Sequence, residues 1–241
     1  MKIAIVQSGA PRVPDESLRY LNIQCDQLAK AGHRVDVYGY LWHEEEKEND
    51  NPDRPSAPTS TDFDQTRYKQ CVFASQEKLF QDAGMDTPKN RTMFGQLMGT
   101  IQAHRLVPDV RDYDIVLRQR FDLAWKISDK HLVSLTCTFP DIMNATKPKM
   151  FVSGLGLMPK QNYYKGWQAG DVLFWCRGDT AYQAYCGKFD PWKYTKQLIK
   201  PGVRDGGMHS RWVDYFIWRE LHVVSMFLPG IKPIRTYLEK K

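Results

Sequence analysis

The sequence predicts an α/β fold: a single domain over residues 1–241, with a mostly parallel central sheet flanked by helices. One observation is a strand, helix, strand pattern within residues 1–40. Another is a strand-like apolar run at Ile115–Leu117, which follows a second helical pattern. Strands that alternate with helices favour parallel pairing through crossover connections.

The N-terminal unit is read from its changing periodicity. Met1–Val6 is an apolar run, and Arg34–Tyr40 alternates as a half-buried strand does. Between them, Glu16–Ala31 has apolar residues at helical spacings of three and four: Leu18, Leu21, Cys25, Leu28 and Ala29. Gly32 suits the left-handed conformation that follows a helix C-terminus.

The next part of the chain combines a loop with two helical patterns. Residues 43–62 are acidic and then rich in Pro, Ser and Thr, which predicts a long, mobile surface loop. Tyr68–Asp82 and Arg91–Leu106 are predicted to be helices. In the second helix, one stripe is expected to face the core: Met93, Phe94, Leu97, Met98, Ile101 and His104.

The segment 111–125, R-D-Y-D-I-V-L-R-Q-R-F-D-L-A-W, changes abruptly from apolar to ionic. If the chain stays extended, Arg118, Arg120 and Asp122 share one face at the carboxyl end of a core strand, where open α/β sheets bind ligands. Guanidinium groups match phosphate oxygens, and a carboxylate is a hard ligand for Mg²⁺ or Mn²⁺. The structural alternative is an internal ion-pair network that closes the strand end.

The C-terminal half contains further short elements. His131–Phe139 is predicted to be a short strand or loop, Met150–Leu157 and Val172–Cys176 to be strands, and the run after Leu221 to be the last strand. Two helices are also expected: residues 181–186, capped by Asp179 or Thr180, and Ser210–Leu221 after a glycine-rich loop.

Composition and missing motifs exclude several classes of protein. The five cysteines form no C-x-x-C pair, which argues against a disulfide framework and a zinc site. The net charge of +6 suits anionic ligands, but basic residues do not cluster with aromatic ones, so no nucleic-acid partner is expected. P-loop, nucleophile-elbow and H-E-x-x-H motifs are absent, which disfavours P-loop NTPases, α/β-hydrolases and zincins.

Other candidate site residues follow predicted strands or lie in loops. Trp42 comes just past the second strand, and Asp171 precedes a later one. Asp205 and His209, in the loop P-G-V-R-D-G-G-M-H, could reach a site as a base or a metal ligand. A packed tryptophan, a turn aspartate and a solvated loop are the structural alternatives.

Three stretches resemble glycosyltransferases of the GT-A type, in particular the bacterial and viral group of lipopolysaccharide and surface-glycan synthesis. They are M-K-I-A-I-V-Q-S-G-A-P-R with its G-x-x-R loop, V-D-V-Y-G-Y-L-W, and Y-D-I-V-L-R-Q-R-F-D-L. The later G-D-V-L-F-W segment falls where that family has another sheet strand. The resemblance covers most of the chain and is most specific in the third stretch.

The resemblance implies transfer of a sugar from a nucleotide-sugar donor to a hydroxyl group of a glycan or glycoprotein acceptor, assisted by Mn²⁺ or Mg²⁺. Ser8, Gly9, Arg12, Trp42, Arg118 and Arg120 would bind the donor, Asp122 with His209 the metal, and Asp171 or Asp205 would be the catalytic base. The triplet Arg120-Phe121-Asp122 departs from the family's D-x-D motif, so the arginines could replace part of the metal's role.

Two other functions stay open: a non-catalytic nucleotide- or glycan-binding domain on the same scaffold, and a methyltransferase that uses S-adenosylmethionine. No run approaches the roughly 20 apolar residues of a transmembrane helix. The expected location is therefore the cytoplasm, the host's if the chain is viral.

Overall fold

A computed structural model describes residues 1–43, 60–82, 88–125, 134–153, 155–157, 167–169, 173–191, 211–226 and 231–233. The strands are β1 (Lys2–Gly9), β2 (Arg34–Trp42), β3 (Tyr68–Ala74), β4 (Ile115–Arg120), β5 (Leu123–Trp125), β6 (Lys149–Ser153), β7 (Leu155–Leu157), β8 (Trp167–Ala169), β9 (Leu173–Cys176), β10 (His222–Met226) and β11 (Ile231–Pro233). The helices are α1 (Pro14–Lys30), α2 (Gln76–Asp82), α3 (Pro88–Arg105), α4 (Phe139–Met143), α5 (Gly178–Ala181) and α6 (Arg211–Trp218). A 3₁₀ turn (Val110–Asp112) precedes β4, and a π-helix (Tyr182–Cys186) continues α5.

The central sheet has seven strands in the order β10-β6-β9-β4-β1-β2-β3. Its neighbours pair in parallel except at β9, which runs antiparallel to both β4 and β6. The sheet is therefore mostly parallel, as the sequence predicts. Because β1, β2 and β4 are adjacent and parallel, their carboxyl ends lie at one edge of the sheet.

Side chains of the buried strands alternate between two hydrophobic cores, one on each face of the sheet. Both faces are therefore covered. On one face, Ile3 and Ile5 belong to a cluster with Leu21 and Leu28 of α1. On the other face, Ala4 and Val6 belong to a cluster with residues of α3 and α6, which include Phe94, Ile101 and Trp212. The predicted α/β class with flanking helices is confirmed.

The N-terminal unit and α3 follow their sequence patterns closely. Gly32 has φ +82 and follows α1, as predicted for a residue past a helix end. The α3 stripe is buried at Phe94, Leu97, Met98, Ile101 and His104. In α1, Ala29 is exposed, and Gln24 is buried in addition to the predicted leucines and Cys25.

The predicted helix over Tyr68–Asp82 is wrong in its first half. Tyr68–Ala74 forms the edge strand β3, paired in parallel with β2, and only Gln76–Asp82 is helical. Strand formation there depends on β2 and β1: Lys69 pairs with Asp36 of β2 at 3.1 Å between Nζ and Oδ2, and the buried Tyr68 hydroxyl donates to Gln7 of β1. These contacts are remote in sequence, so local periodicity did not reveal them.

Three further expectations need correction. His131–Phe139 is predicted to be a short strand or loop, but in its described part residues 134–136 are helical, residues 137–138 form a turn and Phe139 begins α4, where Phe139 and Ile142 lie one helical turn apart and are both buried. Met150–Leu157 is divided into β6 and β7, which belong to different sheets. The N-cap of α5 is Arg177, and Asp179 lies inside the helix, where its carboxylate pairs with Arg177.

The five cysteines are free thiols, as expected. Of the predicted mobile loop 43–62, residues 44–59 lie outside the described residues. Within the described part of the chain, no helix is long and apolar enough to cross a lipid bilayer.

Candidate functional site

A cavity of about 180 Å³ lies at the carboxyl ends of β1, β2 and β4. Parallel α/β sheets bind their ligands at this edge. The lining residues come from the three strand ends, the β1–α1 loop, α2 and α3: Ser8, Gly9, Ala10, Arg12, Trp42, Gln76, Gly95, Gln96, Gly99, Arg118, Arg120 and Asp122. Three of them are arginines and one is an aspartate, so the described lining carries a positive formal charge.

Arg118 is the buried arginine of the cavity, with 3% of its surface exposed. Its guanidinium carbon lies 5.1 Å from the ring centre of Phe174 and 5.4 Å from that of Trp212, within the range of cation–π attraction. Its Nη2 donates to Ser8 Oγ at 3.4 Å. Aromatic rings and a hydroxyl therefore hold a buried positive charge beneath the cavity.

The Ser8 hydroxyl continues this contact into α3. Thr100 Oγ1 donates to the Gln96 carbonyl oxygen at 2.8 Å and is therefore left to accept from Ser8 Oγ, 3.3 Å away. The direction of donation thus runs from Arg118 through Ser8 and Thr100 to the backbone of α3. This series of hydrogen bonds fixes the orientation of the Arg118 side chain relative to α3.

Arg120 and Asp122 form a bidentate ion pair in the cavity wall. Arg120 Nε donates to Asp122 Oδ1 and Nη2 to Oδ2, both at 2.8 Å. The side chains are 16% and 5% exposed, so the pair is largely removed from water. The predicted convergence of Arg118, Arg120 and Asp122 is thus observed, and the Arg120–Asp122 pair also matches the structural alternative of an internal ion pair.

The β1–α1 loop carries Arg12 into the cavity on a strained backbone. Gly9 has φ +124, which L side chains rarely adopt, and Val13 has φ +47, unusual for a β-branched residue. Ser17 of α1 holds the loop, since its backbone N–H donates to the Val13 carbonyl oxygen and its Oγ to that of Arg12. Non-glycine residues in this region persist only where surrounding contacts enforce them, and such residues cluster at ligand sites.

Two glycines of α3 make room for side chains from other elements. A Cβ atom at Gly99 would lie 2.9 Å from Cζ2 of Trp42, so the indole ring packs directly on the helix. A Cβ atom at Gly95 would collide with the side-chain amide of Gln76 from α2. Trp42 is only 4% exposed, so its main contacts are packing contacts.

His104 lies behind the cavity and is neutral near pH 7. Its Nδ1 donates to the Thr100 carbonyl oxygen at 2.7 Å, and its ring stacks on Tyr185 with 4.0 Å between centroids. Burial lowers the pKa of His104 to about 3, the hydrogen bond to Thr100 opposes this, and the Arg118 charge lowers it further. A second positive charge beside Arg118 is thereby avoided.

The metal expected from the resemblance does not fit the described residues by themselves. Asp122 is the one carboxylate among the described lining residues, and both of its oxygens accept from Arg120. Within the described ranges, no group of three His, Cys, Asp or Glu side chains could hold a metal ion. Asp205 and His209 lie outside the described residues, as does Asp171.

The structure brings together every described residue that the sequence singled out: Ser8, Gly9, Arg12, Trp42, Arg118, Arg120 and Asp122. Sequence reasoning missed the contributions of α2 and α3, namely Gln76, Gly95, Gln96 and Gly99. The available signal was a pair of glycines one helical turn apart in a predicted helix, which permits close approach of other side chains.

The chain matches no protein-family model and no curated protein. Among solved structures it is similar to a glycosyltransferase involved in glycosylation of the major capsid of PBCV-1, with 9% identity over 94% of this chain and 83% of the other, at a TM-score of 0.44. The chain is also similar to a CMP:2-keto-3-deoxy-manno-octonic acid synthetase complexed with CTP, with 9% identity over 100% of this chain and 98% of the synthetase chain, at a TM-score of 0.43.

Two structures of Drosophila β1,4-galactosyltransferase 7 also match, both at 11% identity. A mutant with manganese, UDP-Gal and xylobiose covers 100% of this chain and 73% of its own, at a TM-score of 0.41. The match to the catalytic domain with xylobiose has a TM-score of 0.40 and covers 96% of this chain. It spans 66% of the Drosophila chain, just under two thirds. These identities and TM-scores are too low to carry an argument about function, which is therefore drawn from the cavity.

Proposed function

We propose that the chain is a GT-A-type glycosyltransferase that moves a sugar from a nucleotide-sugar donor to a hydroxyl group of a glycan or glycoprotein acceptor. The observation that carries this proposal is the convergence of Arg12, Arg118 and Arg120 in one cavity at the carboxyl ends of parallel strands. A nucleotide-sugar donor has a diphosphate or phosphate group that needs such a site. The resemblance of the central motif adds the reaction type.

The arginines would stabilise the charge that develops on the departing nucleotide. Buried donors with fixed orientation are effective in this role because they need little rearrangement during the reaction. Arg118 meets this condition through its contacts with Ser8, Phe174 and Trp212. Arg120 would contribute the edge of its guanidinium group that does not face Asp122, and Gly9 would let the backbone approach the ligand closely.

The acceptor hydroxyl group needs a base, for which Asp171 or Asp205 stays the proposal. Mn²⁺ or Mg²⁺ bound by Asp122 and His209 also stays a prediction, and a bound metal would neutralise phosphate charge. Among the described residues, the three arginines would neutralise the phosphate charge, so we expect the nucleotide to bind without a metal ion.

The test is thermal unfolding with UDP, GDP, CMP and their sugars, with Mn²⁺ or with EDTA. A ligand at about 100 times its Kd stabilises the folded state by about 2.7 kcal/mol, which raises Tm by roughly 5–10 °C in a chain of this size. We expect one nucleotide to act, and Arg12→Gln to reduce its effect. Arg19→Gln is the matched control, because Arg19 is exposed on α1.

A non-catalytic binding domain is the second candidate, favoured by the Arg120–Asp122 pair, which resembles a structural ion pair. The two candidates differ in donor turnover: many glycosyltransferases slowly release the sugar to water, whereas a binding domain leaves the donor intact. Detection of free sugar would support the enzyme. A chain on which no nucleotide raises Tm would contradict the enzyme and a nucleotide-binding domain, and would leave only a glycan-binding domain.

A further inference from the structure

The cavity has a second polar region that the arginines do not explain. Gln76 at the start of α2 and Gln96 in α3 both line it, and neither has a charge. We call these two side chains the amide pair. They belong to α2 and α3, whereas Arg118 and Arg120 belong to β4, so the two regions come from different elements around one cavity.

The amide pair lies where α2 packs on α3. Gly95 leaves the space that the Gln76 amide occupies. Gln96 is half-buried, its side-chain oxygen is buried, and that oxygen has no hydrogen-bond partner among the described residues. A buried polar atom left unpaired costs about 1–3 kcal/mol, so its retention in a cavity wall needs an explanation. A ligand that offers hydroxyl groups supplies one.

The size of the cavity limits which part of a ligand it can hold. Its volume, about 180 Å³, is below the roughly 300–1,000 Å³ of sites that enclose whole small molecules. The described cavity is therefore expected to hold part of a nucleotide sugar: a phosphate group at the arginines and the group attached to it. In a nucleotide sugar, that group is a sugar ring on either side of the diphosphate: the ribose or the transferred sugar.

We propose that the amide pair, Gln76 and Gln96, binds hydroxyl groups of the sugar ring attached to the donor's phosphates, either the ribose or the transferred sugar. A side-chain amide has both a donor NH₂ and an acceptor oxygen, which matches hydroxyl groups that both donate and accept. This inference rests on the proposed function, because it takes the arginines as the phosphate site.

The test is calorimetric titration in EDTA of three ligands: the nucleoside diphosphate that stabilises the wild type, its 2′-deoxy form, and its nucleotide sugar. CMP and dCMP take the place of the first two if the cytidine series binds. The variants are Gln76→Leu and Gln96→Leu, with Gln81→Leu as the matched control, since Gln81 lies on the exposed side of α2. Each lost hydrogen bond is expected to weaken binding about 2- to 10-fold.

The ligands distinguish the two rings. If the amide pair binds ribose, the wild type prefers the ribonucleotide to its 2′-deoxy form, and the Gln variants lose that preference. If it binds the transferred sugar, the variants weaken binding of the nucleotide sugar and leave the free nucleotide unchanged. Gly95→Ala is a second variant that displaces the Gln76 amide without removing it, and we expect it to act like Gln76→Leu.

Two results would overturn the assignment. Unchanged affinities of the Gln variants for all three ligands, with a wild type that binds, would reject the amide pair and leave the proposed function standing. A wild type that binds no nucleotide, either in EDTA or with Mn²⁺, would reject both. Thermal unfolding of each variant without ligand identifies any variant that fails to fold. If Gln76→Leu fails to fold, the ligand affinities of Gly95→Ala test the role of the Gln76 amide.

Discussion

Replacing Asp122 by asparagine tests what the Arg120–Asp122 pair does. Removing one member of a buried ion pair typically costs about 3–5 kcal/mol, because the other charge is left buried. The asparagine side chain would keep one oxygen as an acceptor, and Arg120 is 16% exposed, so water can reach it. We therefore expect the free energy of unfolding to fall by about 2–3 kcal/mol, less than for complete removal of the partner.

The same substitution is expected to strengthen nucleotide binding when no metal is present. Asp122 is the negative charge in a described lining that has three arginines, and it repels a phosphate group. At a separation of roughly 6 Å and an effective dielectric constant of about 40, this repulsion amounts to about 1.4 kcal/mol, or tenfold in Kd. A less stable variant should thus bind its ligand more tightly.

Urea unfolding measures the first effect, and calorimetric titration of the nucleoside diphosphate in EDTA measures the second. Asp112→Asn is the control, because Asp112 is exposed and precedes β4 at the opposite end from Asp122. Weaker binding by Asp122→Asn in EDTA would refute the electrostatic reasoning. If the wild type binds more tightly with Mn²⁺ and the variant loses only that gain, Asp122 is a metal ligand.

Three other perturbations probe the surroundings of the site. Gly99→Ala places a Cβ 2.9 Å from the Trp42 ring, so we expect a loss of about 1–3 kcal/mol in urea unfolding and weaker nucleotide binding in calorimetry; unaltered values would contradict this packing. The pKa of His104 is about 3 in the folded state and 6.5 in the unfolded state, so between these pH values the unfolded state binds the proton preferentially. The stability that is present above pH 6.5 is therefore lost as pH falls, by about 2 kcal/mol between pH 7 and 5. Urea unfolding of His104→Gln should lack this pH-dependent contribution. Tyr113→Phe removes the hydroxyl that donates to Asp36 at 2.8 Å near the other end of the sheet, so urea unfolding should show a loss of about 1–3 kcal/mol while calorimetry shows unchanged nucleotide affinity.

Elements whose residues interact mainly with their own neighbours were predictable. The apolar spacing of α1 requires only a helix with one buried side. The patterns of α3 and β2 also predict the right type of element, although each is buried on more than one side. Tyr68–Ala74 was different, because its strand conformation depends on pairing with β2. A local pattern contains no information about such a partner.

The alternation of side chains along an extended chain is local, so the sequence was sufficient to predict that Arg118 and Arg120 face one site. Asp122 lies in the turn after β4, and its pairing with Arg120 and the presence of Gln76 and Gln96 in the same cavity depend on tertiary contacts. Those relations depend on how the turn after β4 bends and on how closely α2 and α3 approach the sheet. The packing of side chains from distant parts of the chain, including the space left at Gly95 and Gly99, sets these distances.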